Sequence, residues 1–275
     1  MHIATDPTTV RALTAAWSGD RSADGRPRVG DALLDKLRSA TIEQAWQVLD
    51  EAGYQRQFAG GWLRTRDDVT LVGRAVTAQF LPHRPDLDAA VVEAGAREGH
   101  LEANQQNAWL ISMLEHGDVM IADLFGKIED GTLVGDNLGT AVATRTGAGA
   151  VIDGGVRDFG GLQELGGANF FCRGEHPTAI ANVVLAGVNK PVLIGAVTVL
   201  PGDVVLGTAS GVIFIPAHLA EQVVAASEDI ASRDIFGKAR IAAGTYTGAE
   251  IDVPTWQPHI EVDYADWLAV EGVTT

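Results

Sequence analysis

Apolar positions along the chain fall into two rhythms, helical stripes and short continuous runs. Residues 31–37 open a short helix, and Thr41 with Gln44 has the spacing of a capping box. Behind them Ile42, Ala45, Val48, Leu49 and Ala52 recur on one helical face, and Gly53 suits a C-terminal stop. Trp46 lies off that stripe. Residues 69–80 are rich in β-formers. Residues 86–99 read as a helix with Leu87, Ala90, Val91 and Ala94 on one side, and 104–115 as another that stops at Gly117. A strand is expected at 119–125, with Asp123 near its end, then a polar loop at 127–134.

The stretch 135–161, GDNLGTAVATRTGAGAVIDGGVRDFGG, follows. Its Gly-Asp-Asn-Leu-Gly turn leads into a short helix with Leu138, Ala141, Val142 and Arg145 at helical spacing, stopped by Gly147. The apolar run 149–153 suits a buried strand, Gly154-Gly155 break it, and Arg157-Asp158 come straight after the break. Loop, helix, strand and loop make half a turn of an α/β layer. If the fold brings the two loops together, one pocket holds two carboxylates, a guanidinium and a helix N-terminus.

Downstream, 160–165 suggests a short helix and 169–172 a short strand. Residues 180–188 and 191–200 are apolar and β-branched. Pro201-Gly202-Asp203 is a turn, since Pro presets φ and Gly supplies the left-handed position. Residues 204–206 and 212–215 resume the sheet, and Pro216 opens a long helix to about residue 243. The tail is aromatic and polar, with Trp256, His259, Tyr264 and Trp267. Such groups are costly to leave in water, so the tail either lies on a neighbouring subunit or folds back on its own domain. Residues 1–30 are polar with little periodicity and read as an arm that could lie on a neighbour.

Composition narrows the class. A chain of 275 residues with 46% hydrophobic and 20% charged content suits one sizeable core with extensions. The formal charge of −16 argues against a nucleic-acid partner, which needs a cationic face, and otherwise favours solubility. The single cysteine, Cys172, excludes an intramolecular disulfide. No signal-peptide pattern is seen and apolar runs are far shorter than the ~20 residues of a spanning helix, so a cytoplasmic protein with no membrane partner is expected.

Some chemistries are disfavoured. Gly147-Ala148-Gly149 precedes a strand instead of following one, which rejects a dinucleotide loop. None of the four lysines, Lys36, Lys127, Lys190 and Lys238, has the apolar setting of a Schiff-base lysine. The histidines show no metal-ligand spacing, and His100, His116 and His176 read as surface or structural. The set at 135–161 is more informative. Aspartate oxygens suit Mg²⁺ or Mn²⁺, which take one or two carboxylates and keep several waters. Arginine presents a planar fork to a carboxylate or a 2-oxo acid. A helix N-terminus offers free N–H groups to an anion. Each residue also has a plainer reading: Asp158 as a turn residue, Arg157 in a surface ion pair, Asp136 as an N-cap.

The spacing Asp136, twenty residues, Arg157-Asp158, two residues, Gly161 resembles the signature of the class II pyruvate aldolases of the 4-hydroxy-4-methyl-2-oxoglutarate aldolase type. That family shares its fold with the regulator of ribonuclease activity A. The likeness extends from about residue 33 to 244 and includes PVLIGAVTVLPGDVVLGTASGVIFIP. It implies an α/β three-layer sandwich with a mixed central sheet, an arm at 1–30, a catalytic domain at 31–244, and a tail extension at 245–275 where shorter members end. It further implies trimers or pairs of trimers, with active sites between subunits. The implied activity is a metal-dependent carbon–carbon lyase on a 2-oxo acid, by retro-aldol cleavage releasing pyruvate or by decarboxylation of oxaloacetate type.

In that reading Asp158 binds Mg²⁺ or Mn²⁺, and Asp136 holds a metal-bound water that moves a proton. Arg157 grips the substrate and its enolate, and backbone N–H groups of the segment Gly135, Asn137, Leu138 and Gly139 hold the substrate carboxylate. Asp234 falls roughly where the family has a Glu that reaches a neighbour's active site, one methylene shorter. Two alternatives stand beside this. One is a non-catalytic protein-binding module like the ribonuclease regulator. The other is a lyase or dehydratase on a sugar-derived acid, for which the atypical tail and the stretch HLEANQQNAW leave room.

Overall fold

The computed structural model describes residues 1–100 and 105–271. Part of HLEANQQNAW, and the start of the helix expected from residue 104, lie outside the described residues. The chain divides into two compact units, Met1–Val224 and Ala225–Thr275.

In the first unit α1 (Pro7–Leu13), α2 (Asp31–Leu37) and α3 (Ile42–Glu51) precede the short strands β1 (Phe58–Ala59) and β2 (Leu63–Arg64) and the long β3 (Leu71–Pro82). Next come α4 (Pro85–Arg97), α5 (Gln106–Ser112), β4 (Asp118–Thr132), α6 (Asp136–Thr146), β5 (Gly149–Val156), α7 (Phe159–Gln163) and β6 (Asn169–Glu175). The strands β7 (Val183–Val188), β8 (Val192–Ile194), β9 (Val197–Val199), β10 (Val204–Thr208) and β11 (Gly211–Ile215) close the unit, and α8 (Ala220–Ala242) runs across the division. The capping box on α3 is present in full: Thr41 Oγ1 accepts from Gln44 N, and Gln44 Oε1 accepts from Thr41 N.

Nine strands form one mixed sheet in the order β1-β11-β10-β3-β4-β5-β6-β2, with β7 pairing the far half of β3. The steps β3-β4-β5-β6 are parallel, and every other pairing is antiparallel. Side chains alternate between the faces of a strand. Met120, Ala122, Ala150, Ile152, Phe170 and Cys172 pack with Val91, Ala94, Leu110, Val142 and Leu162 of α4 to α7. Val119, Ile121, Val151 and Phe171 face the other way and pack with Val192, Ile194, Val197 and Val199 of the β8–β9 hairpin. Helices, sheet and hairpin make three layers. Burial on both faces is why β4 and β5 read as continuous apolar runs.

Two boundaries differ from the expectation. Gly154 and Gly155 do not break the strand; β5 runs through them to Val156, and residues 127–132, expected as loop, return to the sheet opposite them. The backbone of residues 126–131 folds tightly over β5, and a Cβ on Gly155 would lie 2.6 Å from Ile128 O. The glycine pair therefore admits a neighbouring backbone.

Residues 1–30 are built into the first unit. Ile3, Val10 and Val29 are fully buried, and Thr5 N donates to Val188 O at 2.9 Å. Arg26, itself buried, reaches both carboxylate oxygens of Asp118 at 2.9 and 3.2 Å. In the second unit the later turns of α8, α9 (Gly248–Ile251) and α10 (Pro258–Glu271) enclose a small core of Phe236, Trp256, Ile260 and Tyr264. Arg233 pairs with Glu261 and Arg240 with Asp263 along its rim. Part of the aromatic tail thus covers its own helix.

Candidate functional site

β4 and β5 are adjacent and parallel, so their carboxyl ends lie at the same edge of the sheet. The loop after β4 leads into α6 and the loop after β5 into α7. Ligands in open α/β sheets bind at this edge. Two backbone bonds clamp the loops together: Leu133 N to Gly155 O and Arg157 N to Val134 O, both 3.0 Å. Two glycines let the side chains meet. A Cβ on Gly135 would collide with Asp158 Oδ2 and lie 3.0 Å from Arg157 Nε. A Cβ on Gly161 would lie 2.8 Å from the Cβ of Asp136. The motif residues Asp136, Arg157 and Asp158 are therefore gathered at the N-terminus of α6.

Their local geometry is specific. Gly135 is the N-cap of α6 and Asp136 its first helical residue, so Asp136 is not itself the N-cap. Asp136 Oδ1 accepts from Asn137 N at 2.7 Å. Asp158 is in the left-handed region at φ 54° and caps α7 without a side-chain bond. Aspartate tolerates that region better than most residues. Arg157 Nε lies 3.5 Å from Asp158 Oδ2, with the two side chains 45% and 47% exposed. The pocket is about 90 Å³ in volume and is lined by Gly135, Asp136, Asn137, Leu138, Arg157 and residues of β4 and the 179–180 segment.

One expectation about the helix N-terminus is corrected. Gly139 N donates to Gly135 O at 2.8 Å, so its N–H is not free for a substrate carboxylate. It is the first α-helical bond of α6; only the N–H groups before it are orphans. Gly139 serves packing instead, since a Cβ there would collide with Leu162. Asn137 N is occupied by Asp136 Oδ1, which leaves the N–H groups of Asp136 and Leu138 as the first-turn helix donors on residues that line the pocket.

The donor set fits a hard divalent cation bound mostly by water. Asp158 is half exposed and lies against Gly135 and Arg157 without lining the pocket itself, whereas Asp136 and Arg157 do line it. Among the described residues no cluster of three His, Cys, Asp or Glu side chains surrounds a common point. Mg²⁺ commonly uses one or two carboxylates and keeps waters. Asp234 lies on α8, where Lys238 Nζ approaches its Oδ2 at 3.2 Å along the helix surface.

Sequence reasoning missed the far wall. A second pocket of about 230 Å³ shares Asn107 and Ile180 with the first and adds His83, Asp88 and Gln106. Asn107 Nδ2 donates to Leu133 O at 2.8 Å, and Gln106 bridges Asp88 Oδ1 to Leu185 N. The amide-rich QQN run was the available signal, but nothing in it told which side chains face the loops. Of the histidines singled out earlier, His100 stacks on Trp109, His176 Nδ1 contacts Thr178 Oγ1, and His116 is exposed. Asp123 anchors the hairpin, accepting from Phe125 N and Leu193 N, and burial raises its carboxyl above the usual range. Arg173 holds Asp153 at 2.5 Å and lies over the Trp62 ring.

Residues 29–214 match the family model described as RraA-like, Aldolase/RraA. Over 110 residues the chain is 34% identical to a protein of Halalkalibacterium halodurans named "Putative 4-hydroxy-4-methyl-2-oxoglutarate aldolase", covering 39% of this chain and 50% of that one. It is 27% identical over 219 residues to Protein DlpA of Legionella pneumophila, covering 78% of this chain and 32% of that one. The chain thus spans about half, and about a third, of the lengths of these curated relatives. Among solved structures, Streptomyces coelicolor RraAS2, described as an unusual member of the RNase ES inhibitor RraA protein family, matches with a TM-score of 0.65 at 25% identity. That match covers 77% of this chain and 98% of the other. The family match takes in both loops that carry Asp136, Arg157 and Asp158, as the spacing of those residues led one to expect, and the chain belongs to the RraA-like, aldolase/RraA family.

Proposed function

We propose that the chain is a divalent-metal-dependent lyase on a 2-oxo acid, acting by retro-aldol cleavage that releases pyruvate or by decarboxylation of an oxaloacetate-like substrate. One observation carries this reading: the two glycine-lined loops gather Asp136, Arg157 and Asp158 beside a helix N-terminus. The relative named as an aldolase supports the same class.

Asp158 would hold Mg²⁺ or Mn²⁺, which supplies Lewis-acid polarisation of the substrate carbonyl when bound. The N–H at Leu138 and the positive end of α6 favour the substrate carboxylate. Arg157 donates to the 2-oxo group and holds the negative charge that grows there as the carbon–carbon bond breaks. Asp136 Oδ2, which accepts no hydrogen bond among the described residues, moves the proton that converts the enolate to pyruvate. In an assembled trimer or pair of trimers, Asp234 would approach a neighbour's site.

The test is pyruvate release from oxaloacetate and from a panel of hydroxylated 2-oxo acids, with Mg²⁺, with Mn²⁺ and with EDTA. Turnover restored by metal and lost in EDTA is the expected result. The likeness to an RNase-inhibitor family member favours a second reading, a protein-binding regulator. Folded protein with no turnover on any 2-oxo acid in either metal would select it.

A further inference from the structure

A separate cavity of about 230 Å³ lies in the first unit and shares no residue with the candidate site. Its lining is largely apolar or aromatic and includes Leu13, Trp17, Tyr54, Leu200 and Pro216, with His218 and Asp203 as ionisable members. Asp203 is 6% exposed. Its Oδ2 accepts from Leu200 N at 2.8 Å and so closes the Pro-Gly-Asp turn. Its Oδ1 accepts no hydrogen bond among the described residues, and Asp203 belongs to the cavity lining. Among the described residues no cation acts on it, and burial pushes the carboxyl up to about 7. A buried anion without a countercharge is costly, and a ligand that brings one recovers that cost.

The rest of the wall suits the same ligand. Aromatic groups attract cations, and Trp17 and Tyr54 belong to the lining. The Tyr54 hydroxyl is 3.4 Å from His218 Nε2. The cavity exceeds the roughly 150 Å³ that accommodates benzene in an apolar core. Leu13, Thr14, Ala16 and Trp17 come from the segment before residue 29, where the family match begins. This part of the wall is supplied by the chain's own N-terminal segment.

We propose that this cavity is a second small-molecule site, which takes an organic ammonium with an apolar body and seats the ammonium on Asp203 Oδ1. Asp203 does double duty there, holding the turn with one oxygen and the ligand with the other. The net charge of −16 favours a cationic ligand over an anionic one.

Calorimetric titration of the full chain with benzylamine, benzyl alcohol and benzoate, at about pH 8 where Asp203 is ionised and benzylamine is charged, tests this. Benzylamine should bind saturably, and benzyl alcohol roughly ten- to a hundredfold more weakly, the worth of one charge-assisted hydrogen bond. Asp203→Asn should cost benzylamine the same factor. Ala16→Trp, an exposed position on the cavity wall and away from the turn, should abolish binding while leaving the melting temperature unchanged. Equal binding of amine and alcohol, undiminished binding by Ala16→Trp, or no saturable heat with benzylamine would each overturn the proposal. The amine-to-alcohol comparison uses the native chain and stands even if Asp203→Asn fails to fold.

Discussion

At the residue scale, Arg157 and Asp203 make opposite demands. Arg157 is half exposed and, among the described residues, has a single ionic neighbour at 3.5 Å, so its remaining side-chain N–H groups stay open to a ligand. Lysine keeps the charge but is a mobile point donor without the planar fork. Arg157→Lys should therefore lower kcat and kcat/KM together by about 10²–10³, the usual cost of a donor that strengthens in the transition state. A rise in KM at constant kcat would show that Arg157 holds ground state and transition state alike. Asp203 is instead held where its charge is unwelcome. Burial raises it to about 7 in the folded chain, against 3.8 for a free side chain. Between those values the folded state keeps a proton that the unfolded chain gives up. Stability from this group therefore falls as pH rises from the unfolded value through about 7, then levels off. Asp203→Asn has no charge to bury, so its stability relative to the native chain should increase over that window. Denaturant midpoints below and above it check the sign.

At the element scale the site depends on two loops leaving neighbouring parallel strands, with glycine where each loop passes the other. Gly135 is the tighter crossing, since a Cβ there would collide with Asp158 Oδ2 and crowd Arg157. Its φ of −114° is open to any L-residue, so the obstacle is space and not backbone strain. Gly135→Ala should leave the fold intact and displace Asp158. Metal-dependent turnover should fall by an order of magnitude or more, because a shift of about 1 Å in a reacting group costs on the order of 10². Far-ultraviolet circular dichroism with the oxaloacetate assay separates the two effects. Unchanged turnover would mean that the crossing has slack.

At the scale of the whole molecule, the two compact units carry separate cores. Phe236 is fully buried among Trp256, Ile260 and Tyr264, and its ring meets those of Trp256, Tyr264 and Trp267 at 5.3–5.8 Å. Phe236→Ala should cost the second unit about 3–5 kcal/mol, enough to exhaust the stability of so small a core. Limited proteolysis should then cut within the tail while residues 1–224 stay resistant. Resistance of the tail in the variant would mean that something besides its own core holds it.

Periodicity and spacing already determined much of this. The stripe behind Thr41 gave α3 its face, its cap and its stop at Gly53, because capping and helical periodicity act within a few residues. The interval between Asp136 and Arg157 placed both residues on loops flanking one helix and one strand, and the resemblance carried by that interval identified the family. Tertiary structure decided what depends on neighbours distant in sequence. Gly154-Gly155 looked like a strand break, but the backbone of residues 126–131 lies against them and turns the pair into a close approach. Polar composition made residues 1–30 an arm, yet Arg26, besides pairing with Asp24 two residues before it, reaches Asp118 ninety-two residues away, and that buried long-range pair cannot be read from local pattern. Asp203 belonged to a turn by sequence; that it also faces a cavity walled by Leu13 and Trp17 follows only from where the first helix is laid down.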